Sequence, residues 1–359
     1  MTRKVFAAAA IVVALVILSA SPAAAHTVAG VSASNYRSEI TDVQPSYEPV
    51  LTVRLLDLGR RVRLTNRGGV EVIVYGYNGE PYLRVGPRGT FENTHSPAVY
   101  LNKTTPGGAT TSTTLPATAD PSATPSWHKR SGSTTVTWRD RRTRWEGQPP
   151  AAVTADPSVP HTAGTFTIGL VYGGDPIIVT GRIIWEPPPP LTPWLLLGAA
   201  ALAITALAGF SRRWGPLVHA ALAALIATDV VHAFATAVAA RDPALVMLMK
   251  VLVGGFFGTA AWIAGLFCLG PLDRNNEDAL LGAGGVAIFI ALYGGLSDLP
   301  TLTHSQVPYA GPADAARAAV VLVVGIGAGI IAATGIVFRR RALMRAGTAA
   351  AGTDVESGS

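Results

Sequence analysis

Five long apolar stretches constrain this chain more than any other feature. Residues 191–210, 216–240, 244–269, 279–297 and 315–338 each match the roughly 20 residues a helix needs to cross the hydrocarbon of a bilayer. Only 14% of the 359 residues are charged, well below the roughly 25% of an ordinary soluble domain. A purely cytosolic globular protein is thereby excluded, and so is disorder of the whole chain. The single Cys268 lies inside the third stretch without a partner, which excludes a disulfide scaffold.

Residues 1–25 carry a basic start, an apolar run from Val5 to Leu18 and a small-residue ending, the pattern of a secretory signal peptide. Ala23-Ala24-Ala25 supplies the cleavage pattern and frees His26 as the mature N-terminus. Cleavage after Ala23 is the competing option, and an uncleaved anchor helix is the alternative. With the leader removed, the polar region lies outside and the first span runs inward. Arg212, Arg213, Arg274, Arg339, Arg340 and Arg341 then all fall on the cytoplasmic side, as the excess of basic residues in cytoplasmic loops requires. The expected product is a multi-pass plasma-membrane protein with a cytoplasmic C-terminus. Its domains are 26–190 outside, 191–345 in the membrane and a disordered tail over 346–359. Gly254 with Gly258, and Gly325 with Gly329, make small-residue faces suited to close helix packing.

The exported region reads as β structure. Alternation runs through Leu51-Thr52-Val53-Arg54-Leu55, Val62-Arg63-Leu64-Thr65 and Val70 to Tyr75, and Asn78-Gly79 is a hairpin turn before Tyr82 to Val85. Thr134 to Trp138 forms a second group with an arginine-rich continuation to Trp145. Thr165 to Val171 and Ile177 to Trp185 form a hairpin around Gly173 to Pro176. The Thr-, Ser-, Pro- and Gly-rich segment 104–126 reads as a loop or linker.

Basic residues around Trp138 and Trp145 suggest nucleic acid, yet residues 26–190 hold sixteen basic and thirteen acidic side chains, a net of +3. That balance is an ordinary solvated surface, and an exposed strand with arginines covering aromatic rings explains the segment without a nucleic-acid partner.

No nucleophile elbow, zinc-protease helix, phosphate loop or paired-cysteine motif is present. The most specific chemical feature is His26. At a free N-terminus its α-amine and ring nitrogen chelate one ion, which suits Cu(II). His95, His128 and His161 are the other exported histidines and supply candidates for completing a copper site. The alternative is that all four are solvated surface residues. The exported region holds no Met and no Cys, so soft ligands are confined to Met247, Met249 and Cys268 in the third span.

A second cluster lies in the membrane part. Asp229 and His232 are three apart on the second span and share a helix face. Met247 and Lys250 share a side of the third, and Asp298 and His304 follow at the outer end of the fourth. Ionisable groups in a bilayer usually point into the bundle. One reading is a polar or metal-accessible pocket open to the outside. The other is an Asp229–Lys250 ion pair that fixes helix packing, with His232 beside it.

The leader, a β domain beginning with His26 and a helical membrane domain resemble the bacterial CopC and CopD copper-handling proteins, particularly their fused forms. In CopC-like domains the N-terminal His joins a D-x-H pair as the Cu(II) site. This sequence has no D-x-H, so the resemblance carries over to His26 alone. Through Tyr75 to Val85 and Ser96 to Asn102, the chain also resembles a family of actinobacterial exported, multi-pass membrane proteins, a likeness that implies a fold and no activity.

The sequence therefore predicts a membrane α-helical bundle of five transmembrane helices, preceded by an exported all-β, sandwich-like domain. A non-enzymatic envelope protein that captures copper through His26 is one expected role. An anchored structural or interaction module, without metal or catalysis, is the other. The lipid bilayer and other envelope proteins are the expected partners, and nucleic acid is not.

Overall fold

The computed structural model of the chain describes residues 31–103 and 115–356. Two compact units divide it, Ser34–Pro188 and the helical part from Pro189 onward, close to the boundary expected at residue 190. The leader 1–25, His26 and most of the first half of the 104–126 segment lie outside the described residues; residues 115–126 form no strand or helix.

The first unit has ten strands: β1 (Tyr36–Gln44), β2 (Leu51–Leu56), β3 (Arg61–Asn66), β4 (Val72–Tyr75), β5 (Pro81–Gly86), β6 (Gly89–Asn93), β7 (Trp127–Ser131), β8 (Thr135–Arg139), β9 (His161–Tyr172) and β10 (Asp175–Trp185). Two short helices, α1 (Pro97–Leu101) and α2 (Ala151–Ala155), interrupt them. A seven-stranded sheet runs in the order β1-β10-β9-β4-β5-β6-β7, and β2-β3-β8 form the second. Alternation puts Val62, Leu64, Val136 and Trp138 of the small sheet into one buried cluster with Leu83, Val85, Ile168 and Val179 of the large one. Two sheets sharing one apolar layer make a sandwich, and each fully buried Leu or Val contributes about 1.5–3 kcal/mol.

The turns set the register. Gly79 takes a left-handed φ of 77° between β4 and β5, where Asn78-Gly79 was expected to turn. The β9–β10 loop is tighter than the sequence indicates: Asp175 already pairs with Tyr172 across Gly173 and Gly174, both at positive φ. The arginine-rich strand is a correction. β8 stops at Arg139, and Arg141–Thr143 is a 3₁₀ turn capped by Asp140, whose carboxylate accepts from the Arg142 amide. The expected strand faces of Arg139 to Trp145 therefore do not form, because Asp140 draws the chain back on itself.

The helical unit comprises α3 (Thr192–Leu207), α4 (Trp214–Ala239), α5 (Ala244–Met249), α6 (Phe256–Asp273), α7 (Glu277–Ile290), α8 (Pro300–Thr303) and α9 (Ala313–Glu356). Among the described residues five helical segments are long and apolar enough to cross a membrane: Thr192–Phe210, Trp214–Ala239, Phe256–Asp273, Glu277–Thr303 and Ala313–Ala346.

The third of these differs from expectation. The apolar run beginning at residue 244 breaks into α5 and a π turn over Lys250–Gly254, and the spanning helix starts only at Phe256. Gly254 and Gly255 are poor helix formers, and the Gly255 amide reaches back to the Lys250 carbonyl at 3.0 Å. Met247 and Lys250 thus precede the span instead of lying in it. A second π turn, Ala291–Gly295, continues α7. Of the two glycine pairs, Gly325 and Gly329 serve as expected: an added Cβ would lie 2.4 Å from the Gly198 carbonyl oxygen and 2.4 Å from Thr205 Cβ respectively. A Cβ on Gly258 would meet nothing nearer than Trp262 at 4.0 Å, so that position makes no close helix contact. α9 continues past Arg345 to Glu356, into the segment expected to be a disordered tail; its alanines favour helix.

Candidate functional site

The structure places two of the three described histidines of the β unit, His128 and His161, on separate strands of the large sheet. His128 lies exposed on the edge strand β7, opposite Glu92. His161 opens β9, opposite Trp185. Four strand intervals separate β9 from β7, about 19 Å along the sheet. His95 directs Nδ1 to the Thr124 carbonyl at 2.8 Å, and His161 directs Nε2 to the Asp156 carbonyl at 2.6 Å. Among the described residues no group of three or more His, Cys, Asp and Glu side chains is placed to hold a metal ion.

Polar residues in the β unit serve its architecture. Asp140 is fully buried and accepts from Trp138 Nε1 at 2.9 Å, from the Arg142 guanidinium at 2.8 Å and 2.9 Å, and from the Arg142 amide. Arg142 in turn lies over the Tyr77 ring at 5.0 Å and reaches the carbonyls of Tyr75 and Gly76. Burial pushes the Tyr77 hydroxyl well above its ordinary range. This knot ties the end of the small sheet to the β4–β5 turn.

The helical unit holds the more informative group. On α4, Asp229 and His232 are both buried. Asp229 Oδ2 accepts from Trp262 Nε1 on α6 at 2.7 Å. His232 Nε2 meets Asp298 Oδ2 at 2.9 Å, and its ring stacks on Tyr309 with centroids 5.6 Å apart. The segment carrying Tyr309 is held against α4 by the Ala310 amide, which donates to the Ala235 carbonyl at 3.0 Å. The second π turn passes so close that a Cβ on Gly294 would lie 2.1 Å from Asp229 Oδ1.

Lys250 does not join this group. Its ammonium bonds Asp242 Oδ2 at 2.5 Å, so the expected Asp229–Lys250 ion pair is not formed. The reason is the break before Phe256: Lys250 sits on the π turn near the loop that joins α4 to α5, within reach of Asp242, while Asp229 lies ten residues, about 15 Å, inside the end of α4. Met247 packs against the apolar core of the bundle. His304 closes α8, with Nδ1 on the Pro300 carbonyl at 2.8 Å. Of the six expected membrane residues, Asp229, His232 and Asp298 come together. Trp262, Tyr309 and Gly294 were not read from the sequence. Trp262 offered one signal, an indole N–H in an apolar span that needs an acceptor.

At the opposite end of the bundle the arginine-bearing turns meet. Arg340 Nη1 donates to the Gly209 carbonyl at 3.1 Å, Arg341 pairs with Glu277 and covers the Trp214 ring at 5.5 Å, and the Gly215 amide donates to Asn275 Oδ1 at 3.0 Å.

No protein-family model matches the chain, and neither does a curated protein or a solved structure.

Proposed function

We propose that the chain is an integral membrane protein of the cell envelope, with its β unit outside the cytoplasm acting as an interaction module for other envelope proteins and its helices as the anchor. It is neither an enzyme nor a copper carrier in this reading. The observation that supports it most is the convergence of Arg340, Arg341, Trp214, Glu277 and Asn275 at one end of the bundle. Three separate basic segments share that end, and basic residues in short loops favour the cytoplasmic side. The opposite end, with Asp242, Asp298 and Asp314, then faces out.

An interaction role fits the way the charges of the β unit are used. Glu39 pairs with Arg37 and Arg182, Glu71 with Arg88, and Asp140 with Arg142, so these groups build the surface and core of the sandwich. Glu80 is buried on Ser96 Oγ at 2.5 Å. His128 and His161 stand too far apart to serve one ion together, and His26 lies outside the described residues.

A fluorescent reporter and a phosphatase reporter, each fused behind Arg345, test the orientation. Fluorescence without phosphatase activity is expected, because the first matures in the cytosol and the second works beyond it. Phosphatase activity would overturn the proposal. Photo-crosslinkers on the exposed positions His128 and Lys129 of β7 then test the interaction role in whole cells; crosslinks to lipid and solvent alone would refute it.

A further inference from the structure

Three titratable side chains run inward from one end of the bundle. The Asp298 side chain is 30% exposed, that of His232 is 7% exposed, and Asp229 is buried. His232 and Asp229 share one face of α4. Helical side chains lean toward the helix N-terminus, which sets the imidazole over the turn that carries Asp229. Nε2 of His232 is taken by Asp298, whereas its buried Nδ1 has no hydrogen-bond partner among the described residues. The ionisable groups that act on Asp229 are His232 and Asp298.

The nearby cations are committed elsewhere. Lys250, on the π turn that adjoins α4, bonds Asp242. Arg317, at the start of α9, bonds Asp314 Oδ1 at 2.7 Å and the carbonyls of His304 and Ser305. Tyr293 stacks on Phe289, and Tyr309 covers His232. Two carboxyls and one imidazole therefore form one group that reaches from the solvent-exposed bundle end into the buried interior. Two ionised carboxylates would give it net negative charge, which an added proton reduces. A net charge within the hydrocarbon is costly, so this group has a reason to exchange a proton.

We propose that Asp229 and the His232–Asp298 pair form a proton-binding site, filled from the bundle end where Asp298 meets solvent. Uptake transfers one proton from hydronium at the bundle end: an O–H bond of H3O⁺ breaks, an O–H bond forms on Asp229, water is released and the charge of the group rises by one. His232 stands between the exposed carboxyl and the buried one. Packing restricts the ligand to a proton: Trp262 Nε1 lies 2.7 Å from one carboxyl oxygen of Asp229, and the other leaves no room for even a methyl group on Gly294. The inference needs the bundle to be in a membrane and does not depend on which side the β unit occupies.

Dicyclohexylcarbodiimide, an apolar reagent that attacks protonated carboxyls, tests this on the full chain in membranes, with the modified peptide read by mass spectrometry. Labelling at Asp229 is expected to fall at least about tenfold between about pH 5 and about pH 9. Asp229→Asn abolishes the label, and His232→Gln or Asp298→Asn moves the midpoint by about one pH unit. The wild-type series decides the matter even where a variant fails to fold. Labelling that is flat with pH, or absent from Asp229 throughout, would overturn the proposal. Protection by Na⁺ at fixed pH, without pH dependence, would also overturn it by making the ligand a metal cation.

Discussion

Trp262 Nε1 donates to Asp229 Oδ2 across 2.7 Å, joining the third spanning helix to the second inside the bundle. Both groups are buried in the bundle, so each satisfies a hydrogen-bonding requirement that lipid cannot meet. Losing the indole N–H leaves the carboxyl without this donor. Trp262→Phe is therefore expected to lower stability by about 1–3 kcal/mol, seen as a drop in the thermal midpoint of the purified protein in detergent. An unchanged midpoint would show that the bond contributes nothing.

Gly294 offers a steric test of the same site. A Cβ there would meet Asp229 Oδ1 at 2.1 Å, whereas one on Gly258 meets Trp262 at 4.0 Å. Overpacking of this kind costs about 1–3 kcal/mol. Gly294→Ala should destabilise the bundle and Gly258→Ala should leave it unchanged, with the two compared by thermal unfolding. Equal effects would contradict the close passage of the π turn.

The β unit should weaken in alkali. Burial, against a smaller opposing effect of the Asn102 hydrogen bond, pushes Tyr82 up to about 12 from its ordinary 10.0. The fold thus favours the neutral phenol. Its contribution is complete below pH 10, where Tyr82 is neutral in both folded and unfolded chains, and is lost as pH rises toward about 12. Urea midpoints followed by strand circular dichroism should fall over that range. Tyr82→Phe, which removes the ionisable group, should reduce the slope; an identical slope would assign the effect to Tyr77 or to the arginine pairs.

The spacing of His128 and His161 predicts the outcome of a copper titration. Because β7 and β9 are four strand intervals apart, His128→Ala and His161→Ala cannot both disrupt one ion. Each variant is expected to keep the wild-type Cu(II) isotherm, measured calorimetrically on the full chain. Loss of the same equivalent in both variants would contradict the sheet order.

The strands found in the sequence are those with a buried face. Val62 and Leu64 alternate with Arg61, Arg63 and Thr65 because one side of β3 packs into the sandwich. β1, β6 and β7 were missed because no apolar alternation marks them: β1 and β7 are edges of the large sheet, β7 is exposed along nearly its whole length, and the buried positions of β6 are Gly89, Thr90 and Asn93. The end of β8 was misread because the side chain of Asp140 caps a 3₁₀ turn, and a hydrogen bond of that kind leaves no trace in hydropathy.

Hydropathy and chain length alone fixed the number of spans, the approximate limits of four of them and the division near residue 190, since hydrocarbon thickness sets a minimum run of apolar residues. They also nominated Asp229, His232 and Asp298, because ionisable groups are rare in such runs. Which of these meet was decided only in three dimensions. Lys250 went to Asp242 when the third helix broke ahead of Phe256, and Trp262, thirty-three residues from Asp229, took the place expected for it. A period of 3.6 residues assigns a side chain to a face, but the packing of neighbouring helices chooses what that face touches.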